Sequence, residues 1–289
     1  MDDFQRYLHA KRTVDDRAID RRVLDRLREE LVDSHNESVT PLRVLEVGAG
    51  VGTMPTRLLE RDVLPERVRY VAVDERSENV AAARDHLREW GFDDGEDGEL
   101  RHDGGDREVV VEPVAGDAFD VGGEYDLLIA QAFLDLVDLA RALPRLFERL
   151  GSDGVFYFPI TFDGGTVFVP EDALDGWIVE CYHRDMDERE SGDGPGAHSR
   201  TGRRLFTQVP EAGGEVLAAA GSDWVVHPPY PADEAFFLRY ILETIEGAVA
   251  NRPELDDDTV HEWAARRREQ VEREELTYIA HQLDVLGRV

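Results

Sequence analysis

The stretch Val44-Leu45-Glu46-Val47-Gly48-Ala49-Gly50-Val51-Gly52-Thr53 constrains this chain more than any other. A short apolar run enters it and a helical pattern leaves it, with glycine at every second position between. Glycines let the backbone turn tightly and let a ligand approach without Cβ interference, while the helix start offers free N–H groups. The next apolar run, Tyr70-Val71-Ala72-Val73, ends in Asp74, 22 residues after Gly52. A carboxylate at that place can accept both hydroxyls of a ribose. Two nucleotide-type alternatives fail on spacing. A dinucleotide fingerprint counted from Gly48 requires glycine where Thr53 stands, and a phosphate loop requires a lysine. The single lysine is Lys11, far from this turn.

Around the motif, short apolar runs alternate with helical stretches. The runs are Leu42–Val47, Val68–Val73, Val109–Val114, Tyr125–Ala130 and Val155–Pro159, and the expected helices cover 53–61, 77–90 and 136–150. This alternation predicts parallel β-α-β units with right-handed crossovers, hence an α/β, doubly wound sheet. Val14, Ile19, Val23, Leu24, Leu27 and Leu31 predict one amphipathic helix over 13–32 capped by Thr13, after a short helical piece around Phe4, Tyr7 and Leu8. Asp93–Asp106 lacks apolar periodicity and reads as a solvated acidic loop; its spacing does not match a calcium loop. Asp163-Gly164-Gly165 reads as a hairpin-like turn, and Glu188–Gly196 as a polar break. Cys181, His183 and Asp185 would share one face of a strand as metal ligands. Leu174, Trp177, Ile178, Cys181 and Tyr182 instead follow helical spacing, which scatters those three, and no metal site is expected. Further helices are expected over 233–249 and about 257–274.

Composition bounds the setting. An apolar fraction of 42% supports a sizeable core, and 289 residues suit one large or elaborated domain. One cysteine excludes an internal disulfide framework and a cysteine-rich zinc site. No secretory signal or membrane-length apolar run is evident, so a soluble cytoplasmic protein with no membrane partner is expected. The net charge is −30, and 32 of the 33 basic residues are arginine. At molar ionic strength the Debye length falls to about 3 Å, so such an acidic surface fits halophilic adaptation.

The glycine turn, with the acid ending the second strand, resembles motif I of the class I S-adenosylmethionine-dependent methyltransferases. Other residues follow that family's order: Gly116-Asp117-Ala118 after the third strand, Tyr125–Phe133 as the fourth strand and its exit, and Leu146–Gly151 before the fifth. The clear resemblance covers about 42–160, with Trp224–His227 and Leu276–Leu286 matching the sixth strand and the antiparallel seventh. It implies a Rossmann-like, seven-stranded, mostly parallel sheet with an antiparallel last strand and a mainly helical cap. One methyltransferase domain would then span 1–289. It would consist of an N-terminal helical cap (1–40), a cofactor-binding core (41–160) and an elaborated C-terminal half (161–289).

The implied cofactor is S-adenosylmethionine. By the resemblance, Gly48, Gly50 and Gly52 line its methionine side, Asp74 holds the ribose, and Asp117 with Ala118 faces the adenine. Asp74 and Asp117 can equally cap the helices that follow them. Glu46 lies inside the motif and counts with the cofactor-binding residues; it suits organising nearby backbone or pairing with an arginine better than acting as a base. Phe133 is a candidate for packing on the sulfonium or the substrate. The fourth-strand exit, Ala130-Gln131-Ala132-Phe133, lacks the N/D-P-P-Y pattern that the family uses on base and amide nitrogens.

The long additions at 161–222 and 231–274, with the N-terminal helix, can cover the carboxyl edge of the sheet. A mostly closed cap makes a small-molecule nucleophile the expected acceptor and disfavours nucleic acid as a partner. The catalytic candidates are His198, Arg200 and His183, with Tyr7, Arg12, Arg17, Trp177, Tyr240 and His227 as further cap candidates. The alternatives are an RNA methyltransferase using the Arg-rich segments 17–28 and 200–204, and a regulatory protein that binds the cofactor without turnover.

Overall fold

A computed structural model describes residues 2–35, 40–105, 107–191, 194–195, 198–250, 252 and 254–289. The central strands are apolar because both faces of the sheet are covered. In β1 (Leu42–Val47), Leu42, Val44, Leu45 and Val47 are all fully buried, as suits the middle of a parallel sheet. β1 pairs in parallel with β2 (Arg67–Asp74) on one side and β6 (Tyr125–Ile129) on the other. Outward from β2 lie β5 (Arg107–Ala115), β4 (Leu100–Gly104) and β3 (Asp93–Asp94). Outward from β6 lie β7 (Leu150–Phe162), β14 (Gln282–Arg288) and β11 (Glu215–Gly221).

The expected doubly wound, mostly parallel sheet is thus present, with β14 antiparallel between β7 and β11. It has nine strands rather than seven. The two additional strands come from the acidic stretch expected to be a loop: β3 and β4 extend the sheet antiparallel to β5. Leu100 is fully buried there, so one apolar side chain among acids anchors β4. Asp106, the end of that stretch, lies outside the described residues.

Helices α3 (Thr53–Glu60), α4 (Ser77–Trp90) and α2 (Arg21–His35) cover one face of the sheet, where Leu27, Leu58 and Leu87 pack with Val44 and Tyr70. Helices α5 (Leu139–Phe147) and α7 (Thr201–Glu211) cover the other, where Leu143, Leu146 and Leu205 pack with Leu45 and Leu128. α5 is shorter than expected. A 3₁₀ turn at Leu134–Leu136 precedes it, Asp138 caps it by accepting from the Ala140 N–H at 3.1 Å, and Leu150 already belongs to β7.

The single N-terminal helix is corrected to two. α1 (Asp3–Ala18) absorbs the short piece around Phe4, and Asp2, not Thr13, caps it through a capping box with Gln5. The break falls at Ile19 and Asp20. The Asp20 carboxylate accepts from the Arg22 and Val23 N–H groups at 2.9 and 3.2 Å, while its own N–H donates to Asp284 at 2.9 Å. A short polar side chain competing for backbone donors outweighs the continuous apolar period.

The sixth strand is also corrected. Trp224–His227 was expected to fill that place, but β12 (Trp224–Val226) lies in a separate three-stranded sheet with β13 (Thr277–Ala280) and β8 (Val167–Val169). β11 takes the sixth place. The expected run Leu276–Leu286 therefore divides between two sheets. Asp163-Gly164-Gly165 likewise leads from one sheet into the other and makes no hairpin, since β8 pairs with β13 and not with β7.

The cap is built from α1, α6 (Asp175–Glu188), α8 (Glu234–Val249), α9 (Asp257–Glu272) and this small sheet. Cys181, His183 and Asp185 lie on α6, as expected of a helix. Glu190–Ser191 (β9) and Gly194–Pro195 (β10) pair with each other; the rest of the expected break at 192–193 and 196 lies outside the described residues. Bidentate Arg17–Glu234 bonds of 2.6 and 2.8 Å fasten α1 to α8, with fully buried Glu234 also accepting from Thr13.

Candidate functional site

Because the sheet runs outward in both directions from β1, the turns leaving β1, β2, β5 and β6 diverge at their carboxyl ends and leave a crevice. A cavity of about 600 Å³ occupies it, roofed by α1, α6 and α8. That is within the usual size of a small-ligand site.

The floor is the glycine turn. Gly48 and Gly50 adopt φ +66° and +55°, and the Ala49 N–H donates to the Val73 carbonyl at 2.9 Å, docking the turn on β2. A Cβ on Gly48 would lie 2.6 Å from the Phe133 ring, so only glycine permits this approach. Asp74 fixes the turn from the side. One of its oxygens accepts from the Gly50 N–H at 2.9 Å, and the other from the Arg76 N–H at 3.0 Å and Asn79 Nδ2 at 2.9 Å. Asn79 in turn accepts from Gln5 Nε2 at 2.9 Å, which ties α1 to the end of β2. A carboxylate offers about four acceptor directions, so Asp74 keeps capacity for a ligand. Asp117 accepts from the Phe119 N–H at 2.8 Å and also faces the cavity.

Of the residues singled out in the sequence, Glu46, Gly48, Gly50, Asp74, Asp117, Ala118 and Phe133 line this cavity, with Tyr7 and Tyr240 in its roof. Gly52 does not. It sits at φ +72° before α3, where a Cβ would meet Ala83 of α4 at 3.0 Å, so it serves helix packing. His183, His198 and Arg200 are not among the lining residues. His183 contacts Thr166 at 3.2 Å, and the His198 ring lies 3.3 Å from Asp187 and accepts from the Arg200 N–H at 3.1 Å. Arg12 pairs with Glu60 at 2.7 Å, Arg17 with Glu234, and His227 contacts the Pro228 carbonyl at 2.9 Å; Trp177 is exposed.

The cavity also gathers residues whose local sequence shows no signal. Lys11 and Asp15, one turn apart on α1, are buried and paired at 2.6 Å. Asp15 accepts in addition from Gln131 Nε2 at 2.6 Å and Trp224 Nε1 at 2.8 Å, while Arg57 Nη1 donates to Gln131 at 2.7 Å. Asp135, in the turn after β6, also lines the cavity, as do Tyr182 of α6 and Tyr278 of β13. The isolated lysine was the single hint available. Among the described residues no group of three His, Cys, Asp or Glu side chains is arranged to hold a metal ion.

Glu46 is buried beneath the turn and accepts from the Tyr70 hydroxyl at 2.9 Å. Burial pushes its carboxyl up to about 8, against the hydroxyl bond and Arg57, which lower it. The folded state therefore retains a proton that the unfolded chain releases from about pH 4.5 upward. Stability from this group is complete below that pH, falls as pH rises and is lost above about 8. Glu46→Gln preserves an acceptor for Tyr70 and is expected to flatten this dependence. Between pH 5 and 8.5, the wild type should lose on the order of 2–4 kcal/mol relative to the variant. Denaturant titrations at molar KCl measure the difference, and parallel pH profiles contradict the assignment.

No family model matches the chain, and no curated protein matches it. Solved structures do. A protein from Bacillus halodurans assigned as a methyltransferase superposes with a TM-score of 0.51 at 14% identity, covering 92% of this chain and 97% of that one. An S-adenosylmethionine-dependent methyltransferase from Thiobacillus denitrificans, solved with S-adenosylhomocysteine, gives 0.48 at 15% identity, covering 94% and 93%. The first likeness shows that the chain has the methyltransferase fold.

Proposed function

We propose that the chain binds S-adenosylmethionine and directs methyl transfer to a small-molecule nucleophile. The observation that carries this reading is convergence: the Gly48–Gly50 turn, Asp74, and Asp117 with Ala118 leave three different strand ends of the sheet and face one cavity. The residues suit the donor. The turn admits its amino-acid portion where a Cβ would obstruct it, the acceptor direction that Asp74 keeps suits a ribose hydroxyl, and Asp117 with Ala118 stands where the adenine would lie. Phe133, packed on Gly48, borders the space for the sulfonium. When bound, the donor supplies an activated methyl group, so the protein mainly has to align it with a nucleophile and exclude water.

The roof of α1, α6 and α8 favours a small molecule over RNA, because a polymer needs an open face. The separate possibility of binding without turnover is settled by chemistry. We expect S-adenosylhomocysteine to bind the wild type by calorimetry at molar KCl, and labelled methyl groups to pass from the donor into a metabolite extract. Binding without transfer would leave a regulatory protein; no binding removes the donor. The acidic, arginine-containing surface fits work in a cytoplasm of molar salt.

A further inference from the structure

The charge and the aromatic walls of the cavity bear on the acceptor, taking the donor reading above as the starting point. Three cations line it, and each already has a carboxylate: Lys11 has Asp15 at 2.6 Å, Arg189 has Asp185 at 2.7 Å, and Arg76 has Asp2 at 3.7 Å. Asp135 differs. Its Oδ1 is buried and has no hydrogen-bond partner among the described residues. An unmet buried acceptor costs free energy unless a ligand supplies the donor. The turn that carries Asp135 is held from two sides: Phe133 packs on Gly48, and the His198 N–H donates to the Asp135 carbonyl at 3.2 Å.

Around this acid the walls are aromatic. Tyr7, Tyr182, Tyr240, Tyr278 and Trp224 all line the cavity, and Tyr7 stacks on Tyr240 with ring centroids 4.3 Å apart. Aromatic faces attract cations, most strongly where water is excluded. A carboxylate with one unpartnered oxygen inside an aromatic chamber selects a positively charged guest over an anionic or neutral one.

We propose that the acceptor is an amine, bound as its ammonium form in the Tyr7–Tyr182–Tyr278–Trp224 chamber with its N–H directed at Asp135, which takes the proton before transfer. Nitrogen methylation of a bound ammonium balances as follows. The N–H electron pair stays on nitrogen as the proton passes to the Asp135 carboxylate, and that lone pair forms the new N–C bond. The C–S pair returns to sulfur, and the positive charge reappears on the methylated nitrogen. Burial pushes the Asp135 carboxyl up to about 6, opposed by its own backbone N–H and by Lys11, which makes it a better proton acceptor than an ordinary carboxylate.

The test compares protonated N,N-dimethylethanolamine with its uncharged isostere 3-methylbutan-1-ol by ligand-detected NMR titration at molar KCl, with and without saturating S-adenosylhomocysteine. The wild type is expected to favour the ammonium by about ten-fold or more. Asp135→Asn should abolish that preference while changing S-adenosylhomocysteine affinity less than about two-fold. Equal affinity for the two probes in the wild type, or binding of neither, overturns the proposal. An Asp135→Asn variant that keeps the preference overturns it too, as does one that chiefly loses S-adenosylhomocysteine, which would place Asp135 in the donor site. If S-adenosylhomocysteine does not bind but the Asp135-dependent preference remains, the donor reading fails and the cation site stands.

Discussion

Asp74→Ala is expected to weaken S-adenosylhomocysteine binding by about 10²–10³-fold, through two effects that act on one carboxylate. The direct effect is loss of the acceptor for a ribose hydroxyl, a hydrogen bond to a charged group worth about 1.5–3 kcal/mol. The indirect effect is on the turn. Asp74 holds the Gly50 N–H at 2.9 Å and, through Asn79, the Gln5 side chain of α1. Removing it frees both the floor and one fastening of the roof. Asn79→Ala separates the two effects, because it leaves the Asp74 carboxylate and its Gly50 bond in place and cuts the two side-chain bonds that tie Asp74 to α1. That variant is expected to lose about ten-fold or less, because neither of the two bonds it removes is made to the ligand. Calorimetry at molar KCl, with thermal unfolding to verify that each variant is folded, makes the comparison. Unchanged affinity in Asp74→Ala would falsify the ribose assignment.

The contrast between what local pattern shows and what it hides runs through the whole chain. The five parallel strands are legible because burial on both faces demands near-continuous apolar runs, and their turns are legible because glycine and aspartate are needed there. β11 is not legible for the opposite reason. Its core, Val216-Leu217-Ala218-Ala219-Ala220, consists mostly of strong helix formers and becomes a strand only because β14 offers a partner edge. The Asp20 break has the same character, since the Asp284 carboxylate that receives its N–H lies 264 residues away.

The candidate site divides along this line too. Gly48, Gly50, Asp74 and Asp117 sit where a strand ends, so spacing finds them. Asp15, Tyr182 and Tyr278 sit inside elements that would look the same as ordinary amphipathic helix or strand, and tertiary folding alone turns them toward the cavity. Asp135 is an intermediate case. It follows the fourth-strand exit by a few residues, but its importance rests on one oxygen that has no partner among the described residues, which no sequence can display.

Lowering the salt should have a larger effect than any single substitution. The chain is expected to unfold in one cooperative transition at molar KCl and to lose cooperative tertiary structure on dialysis to about 0.1 M. The charge inventory explains why. If every basic side chain took one carboxylate, thirty acidic groups would still be uncompensated, the −30 net charge. The arginines are indeed heavily committed: Arg88 to Asp94 at 2.8 Å, Arg184 to Glu254 at 2.7 Å, Arg266 to Asp172 at 3.0 Å. Exposed pairs of this kind are worth about 0–1 kcal/mol each, too little to offset repulsion among the remaining acids. Shortening the Debye length from about 10 Å at 0.1 M to about 3 Å at 1 M confines that repulsion to nearest neighbours. Sucrose serves as the control, since it strengthens burial by exclusion from the surface and leaves charge unscreened. Circular dichroism melts should therefore be restored by KCl at concentrations where sucrose fails. Full cooperative stability in dilute buffer, or equal rescue by sucrose, would show that the acidic surface is tolerated without salt and that its charge has another use.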